Sequence, residues 1–332
     1  MKFATWTKPD GRVESGVVSD DGLHAFSDGM TVLDAVKLGV AEAITLGTQT
    51  ASTSRPVPIA DVRLRPPLVP PAVRDFAAFE EHVLGALQSV TNRTEVPPEW
   101  YEAPAFYFTN PHALIGAFDD VPVPPGCEVL DFELEVAAVV TGTGASVSTD
   151  AAAELLFGYT IFNDWSARDI QAREMVVGLG PTKSKDSSST LGPWLVTRDE
   201  LEHRLDDAGF LALECSVSVN GDPIGADLLS NMAWTFPELV AHASRGTVVR
   251  SGDVLGSGTC GNGGSLAELW GVRGDDALPP LAIGDIVEMT VEGLGTIRNR
   301  VVPGPANTAA PPARRRIPPL PRKHAERQQT RT

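Results

Sequence analysis

Asp131-Phe132-Glu133-Leu134-Glu135-Val136-Ala137-Ala138-Val139-Val140 is the stretch on which the fold reading turns. Its second half is apolar at every position and rich in valine, which marks a strand buried on both faces. Side chains alternate faces along a strand, so Asp131, Glu133 and Glu135 share one face and Phe132, Leu134 and Val136 the other. Neighbouring carboxylates on one face repel, and each raises the other's pKa unless a cation lies between them. Hard divalent ions such as Mg2+ take such oxygen ligands. The alternative is a solvated face of an amphipathic strand. The apolar run after Val136 weighs against it, because a doubly buried strand is a costly place for unpaired carboxylates.

Working outward, further strands are expected at Phe132–Thr141 itself, Leu211–Val219, Asp253–Gly256, Ile286–Val291 and Gly295–Val302. Asn220-Gly221 between apolar runs is a hairpin turn. Helices are expected at Phe76–Thr91, Asp150–Phe157 and Thr235–Ala243. Strands dominate and no βαβ rhythm appears, so the class is α+β with a mixed sheet. Residues 1–65 read as a small leading unit, with strands Lys2–Thr7 and Val13–Val18 around the turn Lys8-Pro9-Asp10-Gly11 and a short helix Thr31–Leu38. A Pro-rich stretch, Asp61–Pro71, separates it from residues 66–303. From Gly304 onward seven basic residues stand against one acidic residue among prolines, the composition of a disordered, solvated tail.

The chain has 332 residues, 42% of them hydrophobic, enough for a sizeable core. Its net charge of −16 opposes binding to nucleic acid and to anionic membranes. No apolar run approaches the ~20 residues of a membrane span. Three widely spaced cysteines, Cys127, Cys215 and Cys260, form neither a disulfide framework nor a zinc motif. With no signal-peptide pattern at the start, a cytoplasmic protein with reduced thiols is the simplest expectation.

Three more clusters carry chemistry. Ile161-Phe162-Asn163-Asp164-Trp165-Ser166-Ala167-Arg168-Asp169-Ile170-Gln171 runs from an apolar strand into polar residues, with Asp164 where the strand would end. Asp164 is there either a ligand or catalytic group, or a helix N-cap. His82 follows Asp75 by about two helical turns, so one helix face could hold both; a structural histidine is the alternative. Glu268, within Leu266-Ala267-Glu268-Leu269-Trp270, has apolar neighbours that suit a proton-transfer role, though an ordinary strand reads the same way. Gly256-Ser257-Gly258-Thr259-Cys260-Gly261 matches a dinucleotide-binding pattern, but Asn262-Gly263-Gly264 blocks the helix that must open there.

The strand Asp131–Val140 followed by Asn163–Gln171 resembles the core signature of the fumarylacetoacetate hydrolase superfamily, D-x-E-x-E and then N-D-W-S-A-R-D-x-Q, over about residues 70–303. The resemblance implies a mixed β-sheet roll with a small N-terminal α+β domain. It implies a site of Asp75, Glu133, Glu135 and Asp164 holding Mg2+, with Mn2+ or Ca2+ open. His82 would activate water, Glu268 would orient that histidine, and Arg168 and Gln171 match the arginine and glutamine after the metal aspartate. Lys185 matches the active-site lysine, with Lys183 as a competing choice. Tyr107 and Thr259 match substrate-contacting positions.

The implied activity is hydrolysis of a carbon–carbon bond in a small anionic 1,3-dioxo acid. Tautomerase or isomerase, hydratase and β-keto acid decarboxylase chemistry are alternatives, as is an inactive binding or scaffolding homologue. A homodimer is expected on the same ground. Three departures bear on substrate: the loop Ser184-Lys185-Asp186-Ser187 carries Ser187 where an aromatic residue is usual, Ala77 stands where fumarylacetoacetase has a tyrosine, and the substrate-binding arginine of its following loop has no clear equivalent.

Overall fold

The computed structural model describes residues 1–91, 93–274, 278–306 and 310–313. Most of the basic tail expected from Gly304 lies outside the described residues.

A mixed sheet of eleven strands forms the frame. Along its main path the order is Gly22–Ala25, Val13–Ser19, Lys2–Thr7, Ser189–Thr197, Leu156–Asp164, Leu134–Val140, Val254–Gly256, Val73–Phe76 and Phe106–Thr109. Neighbours pair antiparallel except Val254–Gly256 with Val73–Phe76. The N-terminal hairpin joins this sheet where Lys2 and Phe3 pair with Val196 and Leu195. A second sheet of five strands runs Asp222–Leu228, Glu214–Val219, Ile286–Val291, Gly295–Val302 and Val121–Pro122. Asn220 and Gly221, both at positive φ (55° and 88°), make the tight turn of its hairpin, as the sequence predicts.

The strand Leu134–Val140 is buried at all seven positions. Val136, Ala138 and Val140 enter a core shared with Cys215, Val217, Met289 and Ile297 of the second sheet. Ala137 and Val139 face a different core, with Phe3, Val17, Val32 and Val36. The period of two thus puts Glu135 on the Ala137–Val139 face, between packed layers and away from solvent.

Several expectations are corrected. The long strand is interrupted at Phe132 and Glu133: Leu130–Asp131 pairs separately with Ser166–Ala167. The helix expected at Phe76–Thr91 starts only at Glu80, because Val73–Phe76 is a strand of the main sheet. Asp75 and His82 therefore do not share a helix face. The segment around Glu268 is a helix, Leu266–Arg273, and the helix expected at Asp150–Phe157 is Thr149–Glu154, giving way to a strand at Leu156. Among the described residues no helix is long and apolar enough to cross a membrane.

Candidate active site: a buried carboxylate cluster beside a His–Glu pair

The cluster forms where three strands meet. Gly256 lies in register with Asp75 on one side and Ala137 on the other. Asp75 and Glu135 lean toward one another over this glycine. A Cβ at Gly256 would lie 2.5 Å from Asp75 Oδ1 and 2.9 Å from Glu135 Oε2, so the bare backbone is what leaves room for both carboxylates. Asp75, Glu133 and Glu135 each offer an oxygen within 4.8 Å of the other two. Asp164 ends the Leu156–Asp164 strand, not a helix cap, and is fully buried.

Two cations hold the outer side of the cluster. Lys185 Nζ donates to Glu133 and to Asp164 Oδ2, the latter at 2.6 Å. Arg168 donates to Asp131 Oδ2 (2.8 Å), to Glu133 Oε1 (2.7 Å) and to Gln171 Oε1 (3.0 Å). Five carboxylates, those of Asp75, Asp131, Glu133, Glu135 and Asp164, thus gather about two cations. Tyr107 donates its hydroxyl to Asp164, and the Thr259 hydroxyl lies 3.4 Å from Glu135 Oε1. Lys183, the competing lysine, is exposed and pairs with Asp186.

The imbalance appears in the acidities. Burial, and then the charge of Asp164, push the Asp75 carboxyl well above the ordinary range; burial and Asp75 do the same to Glu135. Asp164 is also raised, by burial first and with Lys185 opposing. Burial works against the Glu133 anion too, yet Lys185, Arg168 and His82 outweigh it and hold that carboxyl low. Asp75 Oδ1 and Glu135 Oε2 are buried without a hydrogen-bond partner among the described residues. Buried carboxylate oxygens that close together fit a hard divalent cation.

A pH dependence follows. The folded pKa values of Asp75 and Glu135 lie above their reference values of 3.8 and 4.5. Their contribution to stability is full below those references and is lost as pH rises through the folded values. Chelator-treated protein is therefore expected to melt at lower temperature as pH rises from about 5 to about 8, and Mg2+ to restore more stability at the higher pH. A Mg2+ effect on melting that is independent of pH would count against a cation between these two groups.

His82 lies in the first turn of the helix Glu80–Thr91 and Glu268 in the first turn of Leu266–Arg273. His82 Nδ1 is 3.7 Å from Glu268 Oε2 and 3.4 Å from Ser265 Oγ, while Nε2 is 3.8 Å from Glu133 Oε1. One ring nitrogen thus faces Glu268 and the other the carboxylate cluster. Both residues are buried. Glu268 is fixed by the Gly263 N–H at 3.0 Å, and its helix is capped by Ser265 and by Asp131, which accepts from the N–H groups of Leu266 and Ala267.

Sequence reasoning placed Asp131 with the strand carboxylates. Its side chain instead links Arg168 to the helix that carries Glu268. It also passed over Gly85 and Gly271, which let the two helices touch. A Cβ at Gly85 would lie 2.6 Å from Glu268 Cγ, and one at Gly271 2.0 Å from the Gly85 carbonyl oxygen. Glycine inside a helical pattern was the available signal. Gly85→Ala is expected to cost roughly 1–3 kcal/mol of stability from overpacking, and to lower turnover by displacing Glu268 from His82. A variant with parental urea midpoint and turnover would contradict that packing role.

The family model for the fumarylacetoacetate (FAA) hydrolase C-terminal domain matches residues 72–302, and the chain belongs to that family of enzymes. The fumarylacetoacetase of Arabidopsis thaliana is 32% identical over 234 residues, covering 58% of this chain and 55% of that protein. The oxaloacetate tautomerase YisK of Bacillus subtilis is 32% identical over 174 residues, covering 52% of each. The chain thus spans about half the length of these curated relatives. Among solved structures, a 5-carboxymethyl-2-hydroxymuconate delta-isomerase from Mycobacterium smegmatis superposes with a TM-score of 0.62 at 26% identity, over 91% of this chain and all of that one.

Proposed function

We propose that the chain is a metal-dependent hydrolase that cleaves a carbon–carbon bond in a small 1,3-dioxo acid such as an acylpyruvate. The observation that carries this reading is the buried His82–Glu268 pair, with Nε2 turned toward the carboxylate cluster. Asp75, Glu133, Glu135 and Asp164 would hold Mg2+, with Mn2+ or Ca2+ as all-oxygen alternatives. Such an ion supplies Lewis acidity to the substrate's carbonyl oxygens.

The protein's own groups do the rest. His82 Nε2 takes a proton from water, and the Glu268 carboxylate facing Nδ1 stabilises the imidazolium that forms. The resulting hydroxide attacks one carbonyl carbon. The bond between that carbon and its neighbour breaks, the pair stays with the neighbouring carbon as an enolate, and a proton completes the ketone product. Lys185 and Gln171 stabilise the charge developing on oxygen, and Arg168 keeps Glu133 and Gln171 in place. Tyr107 and Thr259, each bonded to a carboxylate of the cluster, border the space for the substrate.

A tautomerase or isomerase reading has its own support: His82 and Glu268 are 3.7 Å apart, longer than a hydrogen bond, and two of the relatives above are named for such reactions. A panel of acylpyruvates, fumarylacetoacetate and oxaloacetate, assayed with Mg2+ and with chelator, separates the two. Chelator-sensitive cleavage of a 1,3-dioxo acid is expected. Keto–enol exchange of oxaloacetate without any cleavage on the panel would replace the hydrolase reading with the tautomerase one.

A further inference from the structure

One carboxylate on the helix Arg168–Met175 plays no part in the chemistry above. Glu174 accepts hydrogen bonds from three consecutive backbone N–H groups, those of Thr182 (2.8 Å), Lys183 (2.7 Å) and Ser184 (3.2 Å). It also accepts from the hydroxyls of Thr182 and Ser184. Successive N–H groups converging on one anion form a nest, and bonds to an ionised acceptor are among the stronger ones. Burial opposes the charge, but the Ser184 and Thr182 donors bring the carboxyl down to about 2, so it remains ionised at neutral pH.

The nest runs directly into the turn Lys183–Lys185, closed by Lys185 N–H on the Thr182 carbonyl at 3.3 Å. At the far end of that turn the Lys185 ammonium reaches Glu133 and Asp164. The same helix opens with Arg168, which grips Asp131 and Glu133. One two-turn helix therefore ties both cations to the cluster, one from each end. Between Glu174 and Thr182 the segment has two local backbone hydrogen bonds, from Val177 and Gly178, and its apolar side chains lie open: Val176, Val177 and Leu179 are 88%, 73% and 83% exposed. A loop that buries so little surface does not fix its own ends.

We propose that Glu174 is a positioning residue that holds the Thr182–Ser184 backbone and through it sets the Lys185 ammonium between Glu133 and Asp164. The catalytic consequence rests on the functional reading above; the positioning does not, and its test needs no turnover.

The test is pulse acylation of the full chain with acetic anhydride, read residue by residue by mass spectrometry. Lys183, with its side chain 74% exposed, is the internal reference for Lys185 at 5%. In the parent protein Lys185 is expected to react far more slowly than Lys183. In Glu174→Ala the Lys185-to-Lys183 ratio is expected to rise about tenfold or more, and added formate, filling the emptied nest, to lower it again. Glu174→Gln, similar in shape but neutral, is expected to give a smaller rise. Val177→Ser, which leaves the clamp intact, is expected to give none.

A circular dichroism melt establishes that each variant is folded, and if the alanine variant is not, the glutamine variant carries the test. Unchanged protection of Lys185 in a folded Glu174 variant overturns the proposal. So does a rise in Glu174→Ala that formate fails to reverse. An enzyme inactive on every keto acid, with Lys185 labelling as expected, would overturn the functional reading and leave this one standing.

Discussion

Replacing His82 with alanine is expected to lower carbon–carbon cleavage by roughly 10²–10⁴-fold, the range by which a positioned general base contributes. The ring is buried with one nitrogen facing Glu268 and the other facing the cluster, so alanine removes the group placed between the two. On the proposed reading metal-dependent enolisation should survive, because the carboxylates that would hold the ion are untouched. The effect should fall mainly on kcat, since the histidine acts on the attacking water more than on the bound acid. Cleavage by His82→Ala at a near-parental rate would remove the histidine from the mechanism.

The second large effect is expected at Glu133. This residue accepts from both Lys185 and Arg168 and also belongs to the trio of converging carboxylates. Glu133→Ala removes one of the proposed ligands and leaves two buried cations short of an acceptor, a defect that costs on the order of 3–5 kcal/mol when a buried pair is broken. Calorimetric titration with Mg2+ is expected to show no measurable binding, and the melting temperature to fall. Glu133→Gln preserves shape and one acceptor oxygen, so it separates the two effects: better folded, but still impaired in Mg2+ binding. Parental Mg2+ affinity in either variant would contradict the assignment of Glu133 as a ligand.

The parts of the fold legible in the sequence were those where local pattern and tertiary role agree. Ile286–Val291 and Gly295–Val302 alternate buried and less buried residues, and their strands begin and end where the pattern does. The helix Val40–Thr53 has only a weak signal in the sequence, because it follows the Gly39 break and is rich in threonine, a weak helix former. The strand Ser189–Thr197 passes through Gly192-Pro193, a pair that reads as a turn; the ladder with Leu156–Asp164 has a register irregularity opposite it. Arg168–Met175 has no buried residue and hence no apolar stripe to betray a helix. Its polar contacts lie at its two ends, the ion pairs of Arg168 and the backbone N–H groups held by Glu174, and no periodicity encodes them.

The site shows the same division. Asp75, Glu133 and Glu135 come together, and Asp164 and Lys185 stand beside them, residues that the sequence motifs single out. What the motifs could not convey is how they are spaced. The empty position at Gly256 sets the distance between Asp75 and Glu135, and Gly85 and Gly271 set the approach of the helices bearing His82 and Glu268. In each case an absent side chain carries the information, and a glycine in sequence does not say what it makes room for.

The most direct test of hydrolysis is turnover of an acylpyruvate in water labelled with heavy oxygen, with Mg2+ present and the products analysed by mass spectrometry. Hydroxide attack with His82 as base predicts one labelled oxygen in the new carboxylate of the acid product, absent with chelator and reduced in step with rate in His82→Ala. Loss of the enol signal with no labelled acid formed would contradict carbon–carbon hydrolysis and leave proton transfer as the reaction of this site.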